Sequence, residues 1–372
     1  MPGISLEHVA LSERGAASKR YISALEKTLR SPDPDMRAEL SAIAEDYRRL
    51  ALSPGSVSTV QVLQNMAIGY QNDEYIGTRL MPVVNTVTDL GQNDGQLSVE
   101  YWAKDKDNTF DDSDDDDAIG TDGTVGRADE NFSLSSVSLT RRARKRFIDA
   151  WTDAAMDSVL RRMISPTITL ADKLALKQER RIAAVLGTYT NYASSNYAAL
   201  SGSDQWNSST GGDPKAVVDT ALAALFYGGP GQTVGFCSLS VYNTLKKHPT
   251  ILEAFKYGGL AQGYVTRQQL AQYFELDDLL VGKTRYKSSK EGQSTKTYGR
   301  VWSDVFGVVR VAQPVSVDQA AFGLTIESPH FQLQWFENGT GGRGGFNNQI
   351  AYADALKITA SDAGYLITSP LA

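Results

Sequence analysis

Residues 96–102, Gln-Leu-Ser-Val-Glu-Tyr-Trp, and residues 132–139, Phe-Ser-Leu-Ser-Ser-Val-Ser-Leu, bracket the most acidic part of the chain. In the first segment Leu97, Val99 and Tyr101 alternate with Gln96, Ser98 and Glu100, the period of a half-buried strand. In the second, Phe132 and Leu134 alternate in one register and Val137 and Leu139 in the other, which predicts a bulge or bend at Ser135-Ser136. Paired, the two segments form a long hairpin. Its connection, roughly residues 104–131, is far longer than the ~12–15 residues beyond which an unstructured loop is usually functional or disordered.

Charge sharpens this picture. Residues 88–138 carry fourteen acids and three bases, Lys104, Lys106 and Arg127, a local net charge of −11. The full chain of 372 residues is at −6, so the remainder is at +5. The densest acidic run is Asp111, Asp112, Asp114, Asp115, Asp116 and Asp117, and soon after it follow Arg141, Arg142, Arg144, Lys145 and Arg146. Such blocks of one sign are ordinarily solvated or disordered.

Outward from the hairpin, residues 18–52 read as two short amphipathic helices of an arm that ends at Ser53-Pro54-Gly55-Ser56. After the hairpin, helical sequence is expected from Arg146 to about Met163. A longer helix follows Pro166, with Ile168, Leu170, Leu174, Ile182, Val185 and Leu186 on its apolar side and Lys173, Lys177, Arg180 and Arg181 making the rest basic. A Gly/Ser/Asn-rich linker at 187–212 leads to a second lobe, opened by Asp213 as N-cap and Pro214 at the first helical position. There, strands Val234–Cys237, Leu279–Gly282 and Phe306–Val311 alternate with helices near Val241–Lys247 and Gln268–Phe274, the latter capped by Thr266. Phe331, Leu333 and Trp335 then alternate with polar residues, and the chain ends in an extended stretch through Tyr365, Leu366 and Ile367. The pattern is α+β with two lobes and one projecting hairpin.

Catalytic chemistry is poorly represented. The single cysteine, Cys237, precludes an intrachain disulfide, and His8, His248 and His330 lie far apart with no partner at metal-ligand spacing. His248, before Pro249, reads as a helix C-terminal cation. Asp112, Asp114 and Asp116 occupy the first, third and fifth positions of a calcium loop, but Asp117 stands where the turn needs glycine and Gly123 where a bidentate Glu belongs. Gly339, Gly341 and Gly344 have dinucleotide-fingerprint spacing, yet no clear helix follows, so Gly339, Gly341, Gly342, Gly344 and Gly345 read as a glycine-rich turn between strands. No cofactor is expected. Without a basic-then-apolar leader or any run of ~18 apolar residues, the chain is expected to be soluble and made in the cytosol, with no membrane partner.

Read in order, several segments resemble the major capsid proteins of tailed bacteriophages, the Hong Kong 97-type fold family. Asn72-Asp73-Glu74-Tyr75-Ile76-Gly77 and Leu80-Met81-Pro82-Val83-Val84 look like that family's lead-in to its extended loop. The hairpin, the helix after Pro166 as spine helix, Val234 to Phe255, Leu270 to Gly282, Trp302 to Pro314, Ser328–Asn338 and Ser361 to Thr368 then follow in family order. The resemblance spans about residues 60–372. It implies an α+β fold with an amino-terminal arm at 1–57, a peripheral domain at 58–87 and 139–212 with a spine helix, an extended loop at 88–138, an axial domain at 213–320 and peripheral return strands at 321–372. It also implies hexamers and pentamers on an icosahedral shell around double-stranded DNA bound without sequence specificity, with portal, scaffolding and decoration proteins as further partners. The location would be the virion, after assembly in the host cytoplasm. The loop would lie over a neighbour's peripheral domain, placing Asp111–Asp117, Lys104 and Lys106 near Arg141–Arg146, Lys173, Lys177, Arg180 and Arg181. Some relatives weld loop to neighbour through a Lys–Asn bond; by location Lys104 or Lys106 and Asn338 or Asn347 would be the partners. An encapsulin-like shell shares the fold, and a metal-dependent enzyme using the aspartate run is the reading from another class.

Overall fold

The structure, a computed structural model, describes residues 74–87, 89, 97–104, 132–149, 159–208, 212–226, 231–256, 264–289, 292–315, 321–337 and 344–372. The arm expected at 18–52 lies outside these residues. In chain order come helix α1 (Gly77–Leu80), strands β1 (Val83–Asn85), β2 (Ser98–Lys104), β3 (Phe132–Ser138) and β4 (Thr140–Asp149), helix α2 (Val159–Leu186) and strand β5 (Tyr197–Ala199). Next are helix α3 (Pro214–Ala224), strand β6 (Gly231–Ser238), helices α4 (Leu239–Leu245), α5 (Pro249–Lys256) and α6 (Arg267–Tyr273), and strand β7 (Asp278–Gly282). The chain closes through β8 (Arg285–Lys287), β9 (Tyr298–Arg300), β10 (Val305–Ala312), β11 (Gly323–Glu327), β12 (Phe331–Glu337), β13 (Gly345–Ile358) and β14 (Gly364–Thr368).

These elements fall into two units. The larger comprises residues 73–140, 176–328 and 354–372. Its centre is a five-stranded sheet in the order β5-β14-β10-β6-β7. Because strand side chains alternate between faces, each strand divides its residues between two cores. Cys237, Leu279, Phe306, Val308, Tyr365 and Ile367 point to one face, where they meet Val218 and Ala221 of α3, Val241 and Leu245 of α4 and Leu270 of α6. Their sequence neighbours Phe236, Leu280, Val309 and Leu366 point to the other face, against Ile182 and Leu186 of α2 and Ile76, Leu80 and Met81 around α1. The caps read from sequence are present: Asp213 accepts from Lys215 and Ala216 backbone N–H groups, and Thr266 and Gln269 form a reciprocal capping box on α6.

Close approach in this sheet depends on Gly307, the cross-strand partner of Phe236. A Cβ there would lie 2.3 Å from the Phe236 ring. Gly307→Ala is therefore expected to lower stability by about 1–3 kcal/mol, the usual cost of overpacking a well-filled core, read as a lower denaturant midpoint. An unchanged midpoint would show that the ring relaxes freely.

The smaller unit comprises residues 1–72, 141–175 and 329–353. Among its described residues, Gly345–Ala351 of β13 pair antiparallel with β12, and β4 pairs with β13 as well. Leu170, Ala171 and Leu174 of α2 pack on Ile350 and Tyr352, and the buried amide of Asn348 donates to Thr167 Oγ1 at 2.8 Å. Strand β13 continues past Ala353 into the larger unit, where Asp354–Ile358 pair with β11 and β11 pairs in parallel with β1.

Two local expectations are corrected. Arg146–Asp149 belong to β4 and not to a helix, and Pro166 does not begin a new helix but sits inside the 28-residue α2. The missing Pro N–H costs about 3 kcal/mol in a helix interior; burial of the stripe Leu170, Leu174, Ile182 and Leu186 offsets it. The bulge at Ser135-Ser136 is also absent. Strands β2 and β3 pair one-to-one from Ser98↔Ser138 to Lys104↔Phe132, and Leu139 N donates to Leu97 O just beyond that ladder. The apparent change of register arose because Leu134 is 56% exposed, on the outer face with Glu100 and Ser136, whereas Val99, Tyr101 and Val137 share the inner one.

Candidate functional site

The acidic run Asp111–Asp117 and Lys106 lie outside the described residues, so the structure bears on them only through the strands that carry them. Those strands are the predicted pair: β2 ends at Lys104 and β3 begins at Phe132, with 27 residues between them. Val99 is fully buried and Tyr101 nearly so. Burial pushes the Tyr101 phenol up, opposed by a hydrogen bond with Ser135.

The predicted cations divide between the two units. In the smaller one, Arg141, Lys145 and Arg146 are exposed along β4, Arg142 and Arg144 are half-buried, and Lys173 is exposed on α2. In the larger one, Lys177 and Arg180 are exposed and Arg181 is half-buried. Arg181 is turned inward, with its guanidinium paired to Asp354, whose side chain is 1% exposed. Arg180 lies over the Tyr286 ring, 3.8 Å from its centroid. Arg180 and Arg181 are thus both engaged by side chains of the same chain.

A polar cluster that the sequence reading did not single out joins α2 to the residues around α1. Glu179 is 2% exposed. Its Oε1 accepts from Ile76 N at 3.1 Å and from Trp302 Nε1 at 2.7 Å, and its Oε2 from Gly77 N at 2.7 Å. A Cβ on Gly77 would sit 2.5 Å from Oε2, so glycine is what lets the backbone reach the carboxylate. Burial pushes the Glu179 carboxyl up, against the three donors that favour its ionised form. The residue before it, Gln178, donates to Glu327 Oε2 at 2.7 Å. Glu327 is the cross-strand partner of Asp354, so Gln178 and Arg181 together separate two carboxylates that the β11–β13 register sets side by side.

The antiparallel strands β12 and β13 flank the glycine-rich segment. Gly339, Gly341 and Gly342 lie outside the described residues; Gly344 has φ +71 and Gly345 opens β13. Since a strand follows and not a helix, no helix N-terminus is available for a pyrophosphate. Asn347 is buried and its amide donates to Glu337 Oε2 at 2.6 Å. The Cys237 thiol is buried and pushed up to about 12. His248 corrects its expected role: it is 3% exposed between α4 and α5, and burial lowers its imidazole, opposed by Asp213 and by the backbone of Gly212. Desolvation thus disfavours the cation that a helix terminus would have used. Among the described residues no three His, Cys, Asp or Glu side chains gather to hold a metal ion, and no helix is long and apolar enough to cross a membrane.

No family model matches the chain. It is 25% identical over 317 residues to the major capsid protein of Burkholderia phage BcepMu, covering 82% of this chain and 95% of that one. It is 23% identical over 346 residues to the major capsid protein of Pseudomonas phage JBD67, covering 90% and 96%. Among solved structures, a phage-related protein from Bordetella bronchiseptica RB50 superposes with a TM-score of 0.65 at 20% identity, over 84% of this chain and 97% of that one. The chain shares its fold with that phage-related protein, and along most of its length its sequence is similar to two major capsid proteins of phages.

Proposed function

We propose that this chain is the major capsid protein of a tailed bacteriophage, a structural subunit that assembles with copies of itself into the shell of the virion. Similarity to two phage major capsid proteins along nearly their whole length carries the reading, and the fold agrees with it. The subunits form hexamers and pentamers on an icosahedral lattice, assembled in the host cytoplasm around double-stranded DNA, with portal, scaffolding and decoration proteins as further partners. Residues 213–320 form the axial domain at the capsomer centre. Residues 58–87, 139–212 and 321–372 form the peripheral domain, 88–138 the extended loop and 1–57 the arm. Electron microscopy of the purified, full-length protein tests this: closed icosahedral shells holding DNA are expected. Soluble monomers under all conditions would refute it, and shells loaded with protein cargo would favour a compartment.

The loop's −11 charge grips cations of a neighbouring copy, which sets register and encounter rate more than raw affinity. Neutralising Asp114–Asp117 to Asn is expected to weaken assembly and flatten its salt dependence, followed by light scattering across ionic strengths. Assembly indistinguishable from that of the unaltered chain at every salt concentration would remove the electrostatic role.

A further inference from the structure

The antiparallel ribbon of β8 and β9 carries the densest positive charge in the larger unit. Residues 283–300 hold six bases, Lys283, Arg285, Lys287, Lys290, Lys296 and Arg300, against one acid, Glu291. The register sets Arg285 opposite Arg300, Tyr286 opposite Gly299 and Lys287 opposite Tyr298. Side chains alternate across a strand, so Arg285, Arg300, Lys287 and Tyr298 share one face and Tyr286 takes the other. The Tyr286 face is occupied. Its ring covers Gly299, where a Cβ would come within 3.1 Å of it, and it carries the Arg180 guanidinium. Bonds from Val301 N to Thr284 O and from Ser288 N to Thr297 O extend the ladder at both ends.

The opposite face is open. Arg285 and Lys287 are exposed and Tyr298 is 63% exposed. Like charges directly opposite on a two-stranded ribbon are destabilising, and here Arg285 faces Arg300. Among the described residues no carboxylate forms an ion pair with Lys283, Arg285, Lys287, Lys296 or Arg300; Arg300 donates to the Ser240 hydroxyl. The ribbon and the β2–β3 pair are separate two-stranded sheets within one chain.

We infer that this cationic face is the docking surface for the aspartate run Asp111–Asp117 of a second copy, an assignment that rests on the capsid reading. Charge selects the occupant. The chain itself supplies a segment at −11, opposite in sign to this face. The carboxylates of the run then offset the repulsion between Arg285 and Arg300. The like charges that the register sets opposite each other are what favour the ribbon over the cations of β4 and α2 as the partner of the loop.

Two measurements on full-length protein test this. First, R285E/K287E is expected to lower shell yield at least about tenfold at low salt, because it sets like charges against the loop. Combining it with Asp114–Asp117→Lys should recover the yield. R141E/K145E on β4 should change yield far less. Second, shells co-assembled from one population carrying Lys287→Cys and another carrying Asp115→Cys should give a disulfide-linked dimer on a non-reducing gel, whereas Arg141→Cys with Asp115→Cys should not. The inference is overturned if the ribbon variant assembles normally, or if the link forms through Arg141→Cys and not Lys287→Cys. A ribbon variant that assembles and links normally but retains less DNA overturns it in favour of a nucleic-acid surface. Absence of shells from the unaltered chain would defeat the capsid reading itself, a separate outcome.

Discussion

Glu179→Ala is expected to destabilise the folded chain by about 3–5 kcal/mol. The substitution leaves three buried donors, Ile76 N, Gly77 N and Trp302 Nε1, without an acceptor, and each such orphan costs about 1–3 kcal/mol before the site relaxes. The loss should appear as a lower denaturant midpoint. Because Trp302 donates directly to the carboxylate, its fluorescence should shift in the native state as well. A loss under ~1 kcal/mol would mean that water or a backbone shift satisfies the donors. The same residue has a pH signature. Its folded-state carboxyl titrates above the ordinary glutamate value because of burial, so the native chain binds the proton more tightly than the unfolded one does. Its linked contribution is full below the ordinary glutamate value and is lost as pH rises through the raised one. Glu179→Gln removes that dependence and should flatten the stability profile in this window.

Arg181→Ala comes next, at about 2–4 kcal/mol. Removing one partner of a buried pair takes the counter-charge from the other, here the carboxylate of Asp354 beside Glu327 on the neighbouring strand. The figure sits below the full range for a buried pair because the Arg181 side chain is 25% exposed. In a double-mutant cycle, Asp354→Ala should recover most of the loss. If the two single variants add without coupling, Arg181 acts through packing alone.

Much of the larger unit was legible in the sequence because its signals are local. The Asp213-Pro214 and Thr266–Gln269 starts satisfy orphan N–H groups within a single turn, and the strands at Val234, Leu279 and Phe306 are short apolar runs between breakers. The β2 alternation was equally readable. The errors have one origin. Assigning every apolar residue to the core made Leu134 a sign of a bulge, although it lies on the outer face. Reading Arg146 onward as helix ignored a partner, β13, about 200 residues away, whose pairing turns the run Arg141–Arg146 into a strand. The β8–β9 ribbon did leave a trace, since Lys283, Arg285 and Lys287 alternate with period two. Only the register shows that Arg300 stands opposite Arg285.

The sequence by itself determined the α+β order of elements, the segregation of charge into an acidic loop and a basic remainder, and the resemblance to capsid proteins, because all three are carried by neighbouring residues and their order. Tertiary structure alone decided which cations are spoken for. Arg181 and Arg180 look alike in sequence to the exposed bases around them. Burial beside Asp354 and stacking on Tyr286 are contacts across more than 100 residues, and no local pattern encodes them.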